Sequence, residues 1–127
     1  MKTPTDLNYS PEHLWVRRME DGTCLAGITD YAQDLLGDIV YVEAPQPGRQ
    51  LEAGKPCGLV ESVKTGSDLH APLSGKVEAV NEALQQQPEL INEDPYAAWI
   101  FRFRPHNPSE QDGLLDAAGY QKLLGET

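Results

Sequence analysis

The chain has 127 residues, of which 39% are hydrophobic, and its 20 acidic and 10 basic side chains give a formal net charge of -10 at pH 7. This length allows one packed core and is too short for two, so we expect a single domain over residues 1–127. The acidic balance argues against nucleic acid or an anionic membrane as a partner, because both require a basic face.

Several protein classes are disfavoured because their sequence signals are missing. No apolar run approaches the roughly 18 residues of a membrane span, and residues 1–6 lack the apolar segment of a signal peptide, so we expect a soluble, cytoplasmic protein. The histidines are too far apart in the sequence to predict a metal site. Cys24 and Cys57 lack ligand-like spacing, and we expect two reduced thiols, although a disulfide between them stays possible.

The first predicted element is a β-hairpin. Residues 15–19 and 23–28 are rich in residue types that favour strands, and they flank Asp21-Gly22. An Asp-Gly pair tolerates the positive φ angles that tight hairpin turns need. A strand, turn and strand are therefore expected near the N-terminus.

A short helix is predicted to follow this hairpin. The Thr29 hydroxyl can cap its N-terminus, and Gly37 can end it by adopting the left-handed conformation. The helix has an apolar stripe, which consists of Ala32, Leu35 and Leu36. Residues 39–42 are then predicted to form a strand.

The next predicted hairpin has a lysine at its tip. Residues 58–63 and 68–71 are the predicted strands, and Lys64 lies between them. An acyl group can cap the amine of a lysine as an amide, which removes its positive charge. Most lysines are only solvated surface groups, so this position alone does not identify a modification site.

The last third of the chain is predicted to contain one more strand and short helices. Alternation in residues 99–104 puts three aromatic side chains on one face, which we expect to be core: Trp99, Phe101 and Phe103. Ser109 and Asp116 are each predicted to begin a short helix.

Four blocks of the sequence together resemble a known family. They read Gly-Ile-Thr-Asp-Tyr-Ala-Gln at 27–33, Glu-Ser-Val-Lys at 61–64, Ala-Pro-Leu-Ser-Gly at 71–75 and Asn-Glu-Asp-Pro-Tyr at 92–96. In these blocks the chain resembles the H proteins of the glycine cleavage system, which are lipoyl carriers of the lipoyl/biotinyl domain class. The resemblance implies a mainly β fold: a barrel-sandwich hybrid of two small sheets with a lysine-bearing hairpin, plus short helices after the first hairpin and at the C-terminus.

The resemblance also implies a function and a set of partners. Lipoate would be attached to Lys64 by a lipoate ligase or a lipoyl transferase, and the chain would be a non-catalytic carrier. It would move the aminomethyl group of glycine between glycine decarboxylase (P protein), aminomethyltransferase (T protein) and dihydrolipoyl dehydrogenase (L protein). A biotin carrier would show Met on both sides of the lysine, whereas Val63 and Thr65 flank it here and favour lipoate.

The residues around the lysine are predicted to be read by the lipoylating enzyme and by the partner enzymes. This predicted recognition set consists of Glu61, Ser62, Val63, Gly66, Ser67 and Asp68. Ser and Asp side chains also stabilise turns by bonding to nearby backbone amides, so that role stays open as well. Gly66 is expected to give the turn a positive φ.

The chain departs from the family pattern at residue 14. The family usually shows His-Glu-Trp, whereas residues 13–15 read His-Leu-Trp. The resemblance places that Glu in the cleft into which the loaded arm folds, and candidates for this cleft here are Leu14, Tyr31 and Asp68. Two alternatives are therefore kept open: a lipoyl carrier for heterodisulfide-reductase-like sulfur oxidation, and an unmodified interaction module with a lipoyl fold.

Overall fold

The computed structural model describes residues 2–125 and consists mainly of β-strands. The strands are β1 Asn8–Tyr9, β2 Leu14–Arg18, β3 Cys24–Ile28, β4 Ile39–Glu43, β5 Gln50–Leu51, β6 Pro56–Ser62, β7 Gly66–His70, β8 Gly75–Val80 and β9 Phe101–Pro105. The helices are α1 Asp30–Leu36, α2 Ala83–Gln86, α3 Leu90–Glu93 and α4 Ala117–Leu124, and a 3-10 helix covers Pro108–Gly113. No helix within residues 2–125 is long and apolar enough to cross a membrane.

The strands form two antiparallel sheets. One has six strands in the order β1-β2-β3-β9-β8-β5, and the other has three in the order β4-β6-β7. The main core contains buried side chains from both sheets, among them Val16, Val60, Leu69, Phe101 and Phe103. The predicted mainly β fold of two small sheets with short helices is confirmed.

The first hairpin and the helix after it form largely as expected. Gly22 has a φ of 88° in the turn between β2 and β3, and the Asp21 carboxylate accepts from the Thr23 backbone N–H at 2.9 Å. The Thr29 hydroxyl oxygen accepts from the Ala32 N–H at 3.2 Å and so caps α1.

Two details of α1 differ from the expectation. Gly37 has a positive φ of 84° but a ψ of -154°, so the chain leaves the helix in an extended conformation that suits glycine and is not left-handed helical. Leu35 is 57% exposed, because only Ala32 and Leu36 of the predicted stripe pack against the core.

A second cluster lies on the other face of the six-stranded sheet, because Trp15 points away from its buried neighbours Leu14 and Val16 in β2. The rings of Tyr9 and Tyr120 stack there with centroids 4.8 Å apart, which attaches α4 to the sheet.

The aromatic face predicted for residues 99–104 is confirmed only in part. Phe101 and Phe103 are fully buried in the main core. Trp99 precedes β9, is half-buried and packs against the second cluster instead. The alternation of side chains between the two faces of a strand does not extend to Trp99, because β9 begins only at Phe101.

Two helical elements near the C-terminus were predicted to begin at Ser109 and Asp116, and one of these two predictions is confirmed. Asp116 caps α4 through a 2.7 Å bond from the Gly119 N–H, as predicted. The 3-10 helix is capped by Asn107, whose side-chain oxygen accepts from the Ser109 N–H at 3.1 Å, so the expected role of Ser109 was wrong.

Candidate functional site

Lys64 lies exposed in the turn between β6 and β7. The two strands pair in register from Leu59 and Asp68 to Glu61 and Gly66, immediately before the turn. The structure therefore places the lysine at the tip of a regular hairpin, and both strands start two residues earlier than the sequence suggested.

Ser62 fixes the backbone of this turn. Its hydroxyl oxygen accepts from the N–H groups of Lys64 and Thr65, each at 3.1 Å, and its hydroxyl donates to the Thr65 carbonyl at 3.1 Å. The Ser62 N–H donates to the same carbonyl at 2.7 Å. Within residues 2–125, no hydrogen bond is formed by the side chains of Ser67 or Asp68, so Ser62 supplies the turn-stabilising contacts of the predicted set.

Gly66 does not have the conformation that we expected. It begins β7 and pairs with Glu61, and it is absent from the glycines with positive φ in the described part of the chain. A Cβ atom on Gly66 would lie 3.6 Å from Glu61 Cγ, an ordinary contact. The turn obtains its shape from the Ser62 hydroxyl and does not require a left-handed glycine.

The end of α1 lies directly beneath the lysine. A Cβ atom on Gly37 would come within 3.2 Å of Lys64 Cε and 3.8 Å of Lys64 Nζ. The Val63 N–H donates to the Asp38 carbonyl at 3.0 Å, so the hairpin tip is attached to the segment that links α1 and β4.

Asn92, in α3, holds that linking segment from the other side. Its amide nitrogen donates to the Gly37 carbonyl and to Gln33 Oε1, both at 2.9 Å, and its side-chain oxygen accepts from the Ile39 N–H at 2.8 Å. The sequence analysis included Asn92 only as part of a resembling block. Its position at the start of the Asn-Glu-Asp-Pro-Tyr motif was the available signal, because Asn satisfies donors and acceptors together.

A cavity of about 110 Å³ lies beside the lysine hairpin, between α1 and β7. Its apolar lining consists of Leu14, Ile28, Ala32, Leu35, Leu36, Val60 and Leu69. Its polar lining consists of Glu12, His13, Ser67 and Asp68. The structure thus brings together two of the predicted cleft residues, Leu14 and Asp68, and adds the carboxylate of Glu12, which sequence reasoning missed.

Tyr31, the third predicted cleft residue, is not part of the cavity lining among the described residues. Its ring packs against His13 with centroids 5.0 Å apart. His13 has a φ of 72°, which is unusual for a residue with a side chain. His13 Nδ1 hydrogen-bonds with the Tyr120 hydroxyl at 2.8 Å, and burial lowers the pKa of this imidazole.

Replacing His13 with Asn is expected to reduce the loss of stability in mild acid. Because the folded pKa lies below the usual 6.5, the unfolded chain binds this proton more readily, and the free energy of unfolding falls as the pH drops below about 6.5. Asn tolerates positive φ and does not titrate. Denaturant unfolding of both proteins, measured from about pH 8 to about pH 5, should give a difference in free energy that shrinks with falling pH. A constant difference would show that the pKa of His13 is the same in the folded and unfolded states.

Both cysteines are buried and free. Burial raises the pKa of the Cys57 thiol to about 11 and also raises the pKa of Cys24. Near neutral pH both are therefore protonated thiols, which do not attack a disulfide as a thiolate does. The prediction of two thiols that act as small apolar groups is confirmed.

Comparisons with known proteins agree in family and fold. Residues 7–127 match the family model described as glycine cleavage H-protein. The glycine cleavage system H protein of Methylobacillus flagellatus is 68% identical over 126 residues, which cover 98% of this chain and 100% of that protein. The protein of the same name from Nitrosospira multiformis is 54% identical over 124 residues, which cover 98% of this chain and 96% of that protein.

A solved structure shows the same fold. The crystal structure of a glycine cleavage system H protein from Mycobacterium marinum superposes with a TM-score of 0.87 at 39% sequence identity. The superposition covers 96% of this chain and 98% of that chain. The similarity therefore extends over nearly the whole chain.

Proposed function

The chain belongs to the family of glycine cleavage H proteins, and we propose that Lys64 is the residue to which its lipoyl group is attached. Proteins of this family carry covalent lipoate on a lysine. The observation that supports Lys64 is its exposed position at the tip of the β6–β7 hairpin, on a turn that Ser62 holds in one conformation.

As a lipoyl carrier of glycine cleavage, the protein works with the P, T and L proteins of that system. The names of the relatives favour this role over the sulfur-oxidation carrier and over the unmodified module. The bound lipoyl group supplies a disulfide that can be reduced and reoxidised while it holds the cargo through sulfur. We propose that the chain itself is non-catalytic and acts as one domain over residues 1–127.

The residues present fit a lipoyl group at this position. The primary amine of Lys64 can form the amide, and the cavity beside the hairpin offers an apolar wall to the carbon chain of an arm that folds back. Gly37 leaves room for the stem of the lysine, because a side chain there would approach Cε. Cys24 and Cys57 are both buried, which limits contact between their thiols and the disulfide of the arm.

The polar wall of the same cavity suits a cationic cargo. An aminomethyl group carries an amine that is protonated near neutral pH, and burial of such a cation without a partner is costly. Leu14 offers it no partner, but Glu12 and Asp68 both line the cavity. We propose that these two carboxylates replace the acid that the family pattern places at residue 14.

The hairpin residues are proposed to be read by a lipoate ligase or a lipoyl transferase. The side chains of Glu61, Val63, Ser67 and Asp68 are exposed around the lysine, whereas the side chain of Ser62 is occupied by the turn. Recognition by direct contact is therefore proposed for the exposed side chains, and a conformational role is proposed for Ser62.

Peptide mass spectrometry tests the assignment of Lys64. Protein produced in cells supplied with lipoate should carry one lipoyl amide, and the modified peptide should contain residue 64. Lys55 directly precedes β6 and Lys76 lies in β8, so both are outside the turn and should be unmodified. A lipoyl group on either of these lysines, or none on the protein, would contradict the proposal.

A further inference from the structure

Several exposed hydrophobic side chains lie on the segments next to the lysine. Within residues 2–125, five large hydrophobic residues are exposed, and four of them are on segments that meet at Lys64: Leu35, Val40, Tyr41 and Val63. Their exposed fractions range from 45% for Tyr41 to 68% for Val63. The fifth, Leu123, is on α4. Single exposed hydrophobic residues are ordinary, whereas several on adjoining segments indicate an interaction surface.

Three segments bring these side chains to the lysine. Leu35 is in the last turn of α1, directly before the segment that lies beneath Lys64. Val63 is the neighbour of Lys64 in the turn, and its N–H is bonded to the Asp38 carbonyl. Val40 and Tyr41 lie in β4, which begins directly after Asp38. We call these four residues, Leu35, Val40, Tyr41 and Val63, the collar.

A β-bulge is responsible for half of the collar. Ile39 pairs with Ser62 and Tyr41 pairs with Glu61, so β4 advances two residues while β6 advances one. Val40 is the extra residue. In a regular strand only one of two consecutive side chains would face solvent, but here Val40 and Tyr41 are both exposed between buried neighbours. Bulges of this kind often re-aim side chains next to functional sites.

We propose that the collar is the docking surface for the enzyme that attaches lipoate to Lys64. This inference rests on the proposed attachment of lipoate to that residue. The Lys64 amine attacks the carbonyl carbon of an activated lipoyl carboxylate, a carbon–nitrogen bond forms, the bond to the leaving group breaks, and the nitrogen loses a proton to solvent or base. The bare lysine stem has only four carbons and lies against Gly37, so the attaching enzyme must approach the surface immediately around it.

The short reach of the bare Lys64 side chain distinguishes the lipoate-attaching enzyme from the other partners. Once the arm is attached, its reactive sulfurs lie beyond the lysine stem and the lipoyl carbon chain, so later partners can engage them from farther away. The collar also has exposed acidic neighbours, because Asp34 precedes Leu35 and Glu61 lies opposite Tyr41. The surface that fits it is therefore an apolar rim flanked by basic side chains.

The test uses the full-length chain, produced without lipoate, as the substrate of a purified lipoate ligase with lipoate and ATP. The variant is Val40→Ser together with Tyr41→Ser, and the matched control is Leu123→Ser, which removes an equally exposed apolar side chain away from the lysine. Intact mass against time should show that the double variant has a KM for the carrier raised by about tenfold, with kcat little changed. The control should match the wild type.

Leu35→Ser gives an independent measurement on α1 and keeps the test valid if the double variant does not fold. It should also raise KM. Wild-type rates for the collar variants, or a lower kcat with unchanged KM, would overturn the docking proposal and leave lipoylation of Lys64 intact. Slow transfer from the fully lipoylated double variant to the later enzymes, with normal lipoylation, would also overturn it. A wild type that is not modified at Lys64 would overturn the proposed function itself.

Discussion

Replacing Lys64 with Arg is expected to abolish the carrier function completely and to leave the fold unchanged. The guanidinium of Arg stays protonated and does not form the amide, so the variant should gain no lipoyl mass and should carry no cargo. The Lys64 side chain is exposed, and substitutions at such positions change stability by less than about 0.5 kcal/mol. Intact mass after expression with lipoate, and thermal unfolding of the same sample, measure the two parts of this prediction.

Lys55→Arg and Lys76→Arg are the matched controls, because they make the same exchange on exposed residues elsewhere in the chain. Both variants should be lipoylated to the extent of the wild type. If the Lys64→Arg variant still acquires the mass of one lipoyl group, another residue is the acceptor. If it unfolds at a much lower temperature, the loss of function is structural and Lys64 has a role in the fold that its exposure does not suggest.

The elements that the sequence predicted correctly are those determined by local chemistry. Asp21-Gly22 specifies a hairpin turn through its own backbone preference, and Thr29 and Asp116 cap helices through bonds that span three residues. The lysine hairpin was recognisable because residue type and order are enough to define a turn between two short strands. No distant part of the chain is needed for any of these features.

The features that the sequence did not predict depend on segments that are far apart in the chain. Asn92 contacts Gly37 and Ile39 across more than fifty residues. Glu12, which precedes β2, and Asp68, in β7, line the same cavity although they are far apart in the chain. The bulge at Val40 changes which side chains face solvent. The alternation of apolar and polar residues in the sequence does not show where such a register shift occurs.

Gly66 was expected to have a conformation that the structure does not show. A glycine next to a turn is usually explained by a positive φ, yet here the Ser62 hydroxyl supplies the constraint and Gly66 is already paired in β7. Because a Cβ atom at Gly66 makes only ordinary contacts, the choice of glycine is not explained by the backbone conformation of the turn.

Leu14→Glu is expected to destabilise the fold by about 3 kcal/mol, even though this exchange restores the usual family residue. Leu14 is only 1% exposed and packs in the main core, so a carboxyl group there loses hydration. The pKa of the new Glu should rise above its ordinary value, since burial disfavours the charged form. The folded state then holds a proton that the unfolded chain releases, and the free energy of unfolding falls as the pH rises above about 4.3.

Leu14→Gln is the matched control, because it has nearly the same shape and polarity but does not titrate. Denaturant unfolding should give similar stabilities for the two variants near pH 4, and the Glu variant should fall behind the Gln variant as the pH rises to 8. Parallel curves would mean that water in the adjoining cavity already hydrates position 14, so that a carboxylate there is free to ionise. In that case ionisation of an acid at residue 14 would cost the fold no stability beyond that already lost in the Gln variant. The proposal that Glu12 and Asp68 replace that acid would then lose its energetic basis. Burial would not prevent a carboxylate at residue 14 from ionising, so the cargo would not need acids elsewhere in the cavity.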